Sequence, residues 1–253
     1  MLTIDGIPAL QDNYIWLLQR AGRAVAVDPG EAAPVLDFLH ASNLQLDAIL
    51  CTHRHHDHVD GIEELRAVYN VPVYGRSHPN NPHITHDLRE GDRLRLEQLE
   101  ASFDVIEVPG HLDDHIAFIA PQILFCGDIM FGAGCGKNFE GTAAQLHRSL
   151  QRLAVLPDDT RVYCAHEYTA YNLPFALACE PNNPDIQQRI ADTRRLRAEN
   201  QPTVPFTLAL EKATNPFLRC SNPELIRTLK ARGLGSTDET AVFAALREWR
   251  DRF

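Results

Sequence analysis

Residues 52–61, THRHHDHVDG, place four histidines and two aspartates in ten positions. Imidazole nitrogen and carboxylate oxygen are donors that suit zinc, and also iron or manganese. His53 and His55 are two apart, so they share a side on extended chain but would separate on a helix. This is unlike the helical metal pair, whose histidines stand four apart. Asp57 and His58 are adjacent, so their side chains diverge. The pattern predicts two neighbouring metals, the first held by His53 and His55, the second by Asp57 and His58. The competing reading is a solvated polar loop, and four histidines directly after the apolar AILCT argue against it. His56 is the one expected to point away.

Two ligands do not complete a shell. Three later segments supply more: VPGH delivers His111, FCGD delivers Asp128 and CAHE delivers His166. Each lies just past an apolar run that reads as a strand, where loops carry function on a rigid sheet. His111 would complete three nitrogens on the first metal, and His166 would join Asp57 and His58 on the second. Asp128 would bridge both. Asp28 stays open between bonding a ligand histidine and capping its own turn. His115 stays open between orienting the site and filling a core. His78, His83 and His86 read as solvated, and His40 and His147 receive no role.

The elements that must position these groups alternate along the chain. YIWLL (14–18) and AVAV (24–27) predict paired strands, with turn chemistry at DPG (28–30). Val35, Leu36 and Leu39 mark a helix face, and AIL (48–50) is a strand running into the cluster. Ile62, Leu65 and Val68 give another helix. Later strands are VPVYG (71–75), FDVIEV (103–108), IAFIA (116–120), ILFC (123–126) and RVYC (161–164), with a helix on Leu146, Leu150 and Leu153. Beyond about residue 166 the strand signal fades. Pro184 opens a helix, Ser236 and Glu239 have the spacing of a capping box, and Val242, Leu246, Trp249 and Phe253 recur at helical spacing. The reading is a mixed α/β domain over 1–165 and a small helical domain over 166–253.

The 253 residues suit one large domain or two unequal ones. No apolar run approaches a membrane span, and the opening MLTIDGIPALQDNY lacks the pattern of a signal peptide. The six cysteines form no CxxC pair, so a reduced, cytoplasmic protein is expected rather than a disulfide framework. A net charge of −10 argues against general nucleic-acid binding. Residues 1–165 hold 12 Lys and Arg against 23 Asp and Glu, whereas residues 166–253 hold 12 against 11. The C-terminal third thus has basic groups to offer an anionic partner, unless the difference is chance composition.

THRHHDH, followed in order by VPGH, FCGD and CAHE, resembles the metallo-β-lactamase superfamily. That resemblance implies an αββα sandwich with a two-metal site at one edge of the sheets. ALQDNYIWLL, VDPGE, GCGKNFEGT, CAHEYTAYNLPFA, NPFLR and REWRDRF are similar to the hydroxyacylglutathione hydrolases (glyoxalase II), over the whole chain including its helical end. This implies hydrolysis of S-D-lactoylglutathione to D-lactate and glutathione, the second step of methylglyoxal detoxification. It puts the metal residues at His53, His55, Asp57, His58, His111, Asp128 and His166. It puts glutathione contacts at Lys137, Asn138, Phe139, His166, Glu167, Tyr168, Arg247 and Arg250. Phe139 lacks the hydroxyl of a tyrosine found in many relatives, Arg250 stands where some have lysine, and HLDDH (111–115) is an unusual filling.

The implied mechanism uses two divalent ions, zinc foremost, about 3.5–4 Å apart, holding a water whose pKa falls towards ~7. Asp57 and Asp128 are the catalytic carboxylates that help hold that hydroxide. Lys137, Arg247 and Arg250 would meet the glutathione carboxylates; apart from the resemblance, Arg247 and Arg250 read as the charged face of a helix. A monomer is expected, with no membrane partner. The alternatives are a persulfide dioxygenase using one iron, another hydrolase of the superfamily, and a structural metal module. Structural zinc sites usually close with four ligands, often cysteines, which the seven His and Asp candidates do not match.

Overall fold

The structure is a computed structural model and describes all 253 residues. Its contacts gather the chain into two compact units, Met1–Glu107 with Asp114–Gly127, and Val108–Asp113 with Asp128–Phe253.

In the first unit a six-stranded sheet runs in the order β1 (Thr3–Ala9), β2 (Asn13–Arg20), β3 (Arg23–Val27), β4 (Gln45–Leu50), β5 (Val73–Gly75) and β6 (His86–Asp87). β2 and β3 pair antiparallel with Trp16 opposite Val27, as the runs YIWLL and AVAV predict. β3, β4, β5 and β6 are joined in parallel. Parallel neighbours need crossovers, and these hold α1 (Ala33–Ala41), α2 (His56–Val59) and α3 (Ile62–Tyr69). The core unites Leu17, Ala26, Val35, Leu39, Ile49 and Leu65 from the sheet and helices. Strands buried on both faces lose the alternation of polar residues, which is why β2 and β3 read as unbroken apolar runs. Four further strands run antiparallel in sequence order: β7 (Arg93–Leu96), β8 (Ala101–Glu107), β9 (Ile116–Ala120) and β10 (Ile123–Gly127). They carry Phe103, Phe118 and Phe125, all fully buried; each such ring stabilises the fold by roughly 1.5–3 kcal/mol.

In the second unit β11 (Met130–Phe131) and β12 (Gly134–Cys135) form a small hairpin, and β13 (Arg161–Cys164) pairs antiparallel with β14 (Phe206–Thr207). Six helices complete it: α4 (Ala143–Ala154), α5 (Thr169–Cys179), α6 (Pro184–Ala198), α7 (Leu208–Thr214), α8 (Pro223–Ala231) and α9 (Glu239–Arg250). Thr142 and Gln145 make a capping box on α4. Asn183 caps α6 ahead of Pro184, where the helix was expected to open. The capping box expected from Ser236 and Glu239 does not form. Asp238 is the cap, accepting from the amide of Ala241, and Ser236 Oγ instead accepts from the amide of Asp238. The helix starts two residues later than that spacing requires, which leaves Glu239 at its first position. Phe253 lies beyond the last turn of α9 and is exposed, with its ring edge on Phe175.

All six cysteines are free and buried. No helix is long and apolar enough to cross a membrane.

Candidate metal centre

Past Leu50 the chain remains extended as far as His55, whose φ of −61° and ψ of 147° make it the N-cap of α2. The two-residue spacing does what it predicts. His53 Nε2 and His55 Nδ1 face each other at 3.0 Å. Asp57 and His58 fall on the single turn of α2, and that turn brings Asp57 Oδ2 to 3.5 Å from His58 Nε2. Adjacent residues on extended chain would have diverged; the helical turn is what makes them converge. His56 points away, 92 % exposed at its side chain and 3.1 Å from Asp60.

Behind these ligands stands Asp28, at the end of β3 with a left-handed φ of 52°. Its Oδ1 accepts from the amide of Thr52 at 2.7 Å, and its Oδ2 accepts from Thr52 Oγ1 at 2.7 Å. With its proton given to Asp28, Thr52 Oγ1 can only accept from His53 Nδ1, 3.1 Å away. Asp28 Oδ2 also lies 3.1 Å from His58 Nδ1. One carboxylate therefore sets the orientation of two rings, leaving both Nε2 atoms as ligands. Of the two readings open for Asp28, contact with a candidate ligand histidine is the one observed, at 3.1 Å from His58 Nδ1. His115 stacks on His53 with ring centres 4.6 Å apart and planes 13° apart, so it braces the ligand ring. A side chain at position 127 would strike Thr52 Oγ1 at 2.3 Å and His115 Nε2 at 2.9 Å, and φ there is +49°. Only glycine fits ahead of Asp128.

His111 Nδ1 donates to the carbonyl of Lys137 at 2.8 Å, which turns its Nε2 towards Asp128 Oδ2 at 3.6 Å. The other oxygen of Asp128 lies 3.4 Å from His166 Nε2. The two oxygens of Asp128 thus face different histidines, the arrangement a bridging carboxylate requires.

Two groups emerge in which every residue offers one ligand atom within 4.8 Å of all the others: His53, His55, His111 and Asp128 in one, Asp57, His58 and His166 in the other. The first group adds Asp128, expected from the sequence as a bridge to both metals, to His53, His55 and His111; the second holds Asp57, His58 and His166. The donors fit divalent metal ions: five imidazoles and two carboxylates, mostly buried, with the ring nitrogens aimed by hydrogen bonds. Cys51 and Cys164 stand two residues before His53 and His166, yet neither belongs to a group. Burial pushes both thiols up, so they stay protonated, and each donates to the carbonyl of its histidine, at 3.0 and 3.5 Å.

The residues expected to touch a substrate are placed variously. The amide of Phe139 donates to the carbonyl of His111 at 3.1 Å, and its exposed ring sets its edge on the His111 ring at 5.2 Å. Lys137 is exposed, its Nζ 5.8 Å from that ring. Asn138 Nδ2 donates to the carbonyl of Gly110. Tyr168 stacks flat on His166 at 4.6 Å. Arg250 lies over Tyr171 at 4.3 Å and donates to Asn172 Oδ1 at 3.2 Å. Arg247 is more buried, donating to the carbonyls of Cys135 and Gly136 and to Asp251. The carboxylate of Glu167 is turned to Thr203 and Arg197.

A family model described as the metallo-β-lactamase superfamily matches residues 10–166, and one described as the hydroxyacylglutathione hydrolase C-terminus matches residues 167–253. A hydroxyacylglutathione hydrolase of Nitrosomonas europaea is 46% identical over 254 residues, spanning 100% of this chain and 97% of that protein. The chain belongs to the hydroxyacylglutathione hydrolase family. Among solved structures, ETHE1 from Myxococcus xanthus is similar with a TM-score of 0.66 and 25% identity, over 99% of this chain and 98% of that one. TTHA1623 in a di-iron-bound form is similar with a TM-score of 0.61 and 27% identity, over 85% of this chain and 100% of that one. The fold is accordingly the αββα metallo-β-lactamase type with a helical C-terminal region.

Within this hydroxyacylglutathione hydrolase family member, several site residues carry no signal of their own in the sequence. Asn13, inside the QDNY stretch that supports the family resemblance, donates Nδ2 to Asp57 Oδ2 at 2.9 Å and so orients that carboxylate. Arg54, between His53 and His55, forms a buried ion pair with Asp114 at 2.5 Å. That pair gives the unusual HLDDH filling a purpose, because Asp114 neutralises the arginine buried between two ligands.

Proposed function

We propose that this chain hydrolyses S-2-hydroxyacylglutathione thioesters, S-D-lactoylglutathione foremost, to the 2-hydroxy acid and glutathione, the second step of methylglyoxal detoxification. The observation that carries the proposal is the pair of His/Asp groups with no sulfur donor, with one oxygen of Asp128 facing His111 of the first group and the other facing His166 of the second. We assign them two divalent ions, zinc first, with iron or manganese also suiting the donors. When bound, such ions acidify a water towards pKa ~7 and stabilise negative charge developing on a carbonyl oxygen.

The chain's own groups hold that arrangement in place. Asp57, fixed by Asn13, and Asp128, with one oxygen for each group, are the carboxylates nearest the chemistry. Asp28 keeps the Nδ1 protons of His53 and His58 on the side away from the ligand atoms. The leaving thiolate is stable, since free thiols have pKa about 8.5, so no side chain is assigned as a general acid. The glutathione carboxylates are assigned to Lys137, Arg250 and Arg247, the last exchanging Asp251 for a substrate carboxylate. Asn138, Phe139, His166 and Tyr168 line the assigned contact surface. The carboxylate of Glu167 is engaged with Thr203, so its contact is assigned to main-chain atoms. In this reading residues 1–165 are the metal-binding catalytic part and residues 166–253 the glutathione-binding part. The chain acts as a cytoplasmic monomer on a small molecule, with neither nucleic acid nor membrane as partner.

The test follows loss of S-D-lactoylglutathione with measured metal content. Turnover is expected when both groups are filled, and none with both filled would overturn the assignment. Arg250→Ala is expected to raise KM more than it lowers kcat; an unchanged KM would remove Arg250 from the substrate contacts.

A further inference from the structure

The motif NPFLR (215–219) supports the family resemblance but plays no part in the chemistry above. Its first residue, Asn215, caps the end of α7 and is fully buried, as is Glu211 one turn earlier within that helix. Their polar atoms go to the hairpin of β11 and β12. Glu211 accepts from the amide of Ala133 at 3.0 Å. Asn215 Nδ2 donates to the carbonyl of Gly134 at 2.9 Å and to Glu211 Oε2 at 2.8 Å. Ala133 carries a left-handed φ of 56°, a conformation that disfavours any residue with a Cβ. The fold holds it there with a buried carboxyl whose proton affinity burial raises above the ordinary value against the opposing pull of Arg189, 2.5 Å away. Burying such a network is costly, and its polar atoms converge on the backbone of Phe131, Ala133 and Gly134.

Those residues lie between ligands. The hairpin begins two residues after Asp128 and is followed directly by Gly136, where a Cβ would meet the carbonyl of Asp128 at 2.1 Å and His111 Nδ1 at 2.8 Å. A shift of the hairpin therefore moves Gly136 against the backbone of one metal ligand and the ring of another.

We propose that Asn215 and Glu211 are positioning residues of the metal centre: they clamp the hairpin 130–135 so that Asp128 and His111 are presented at ligand geometry. Outer partners of metal ligands typically contribute 10- to 100-fold in affinity or activity, and this clamp acts one step further out, through backbone.

The experiment measures metal retention, as the rate at which a chelator strips zinc from loaded protein. This readout is independent of the thioester assignment. Asn215→Ala is expected to release zinc at least 10-fold faster with an unchanged circular dichroism spectrum. Glu211→Gln, which keeps an oxygen for the Ala133 amide, is expected to retain zinc better than Glu211→Met. Arg219→Met is the matched control. It breaks the buried ion pair with Glu180 in the same motif, at 2.7 Å, and is expected to lower the melting temperature while leaving zinc retention unchanged. Retention in Asn215→Ala within twofold of the parent, or equal loss in the Arg219 control, overturns the proposal. Should the variants not fold, the unaltered protein decides. Coupling is reciprocal, so stripping the metal must speed hydrogen exchange at the Ala133 amide at least 10-fold, and an unchanged rate refutes the clamp.

Discussion

At the scale of single residues, the candidate centre depends on Asp28 as much as on its ligands. Its carboxylate lies against His58 at 3.1 Å and reaches His53 through the hydroxyl of Thr52. Asn tolerates the left-handed backbone that Asp28 adopts, so Asp28→Asn removes the charge with little strain. The variant is expected to hold zinc 10- to 100-fold less tightly, measured by chelator competition, with an unchanged far-UV spectrum. Equal affinity would mean that Asp28 serves only the turn after β3. The ligands themselves were legible because their chemistry and spacing are local: His53 and His55 two apart past a strand, and His111, Asp128 and His166 each after an apolar run. Asp28 was legible only as one of two open readings, and Asn13 and the Arg54–Asp114 pair not at all, because their partners lie 24, 44 and 60 residues away. Only the packed fold says which polar residue meets which ligand.

At the scale of elements, helix pairs carry an ionisable group of their own. His147 on α4 stacks on Phe243 of α9, with ring centres 5.1 Å apart, and burial lowers its proton affinity despite the nearby Glu239 and Asp238. In the unfolded chain it takes a proton near its ordinary value of 6.5. The unfolded state then binds more protons than the folded one, so stability falls as pH drops through 6.5. Urea midpoints at pH 7.5 and 5.5 are expected to differ more in the parent than in His147→Gln. Identical differences would mean that burial does not set this proton affinity. Elements with strong local signals were readable: β2, β3, β9, β10 and α4 lie where their apolar patterns put them, and α6 opens at Pro184. The hairpin of β11 and β12 escaped notice because two-residue strands have no periodicity; side chains from α7 and the NPFLR motif define it instead. The start of α9 was misplaced because Ser236 and Asp238 are both competent caps, and packing of Val242, Phe243 and Leu246 selects the register that Asp238 serves.

At the scale of the whole molecule, the two ligand groups tie metal binding to folding. Seven ligands drawn from positions 53 to 166 meet only in the folded chain. An ion at 1,000 times its Kd adds about 4 kcal/mol to a state that alone binds it, so two ions add about 8 kcal/mol. Native domains keep only roughly 5–15 kcal/mol in total, so on the proposed two-ion reading the ions would be a major share of stability. Charge acts in the same direction. The chain carries −10 at neutral pH, and the two proposed dications would offset part of the self-repulsion that opposes compaction. Chelation is therefore expected to lower the urea midpoint markedly, and zinc is expected to restore it in proportion to occupancy. Asp128→Asn should weaken this response to both ions, because each oxygen of that carboxylate faces a histidine of a different group. Loss of the response to one ion alone would place Asp128 in a single group, and a midpoint indifferent to chelator would mean that the ligands are held together without metal.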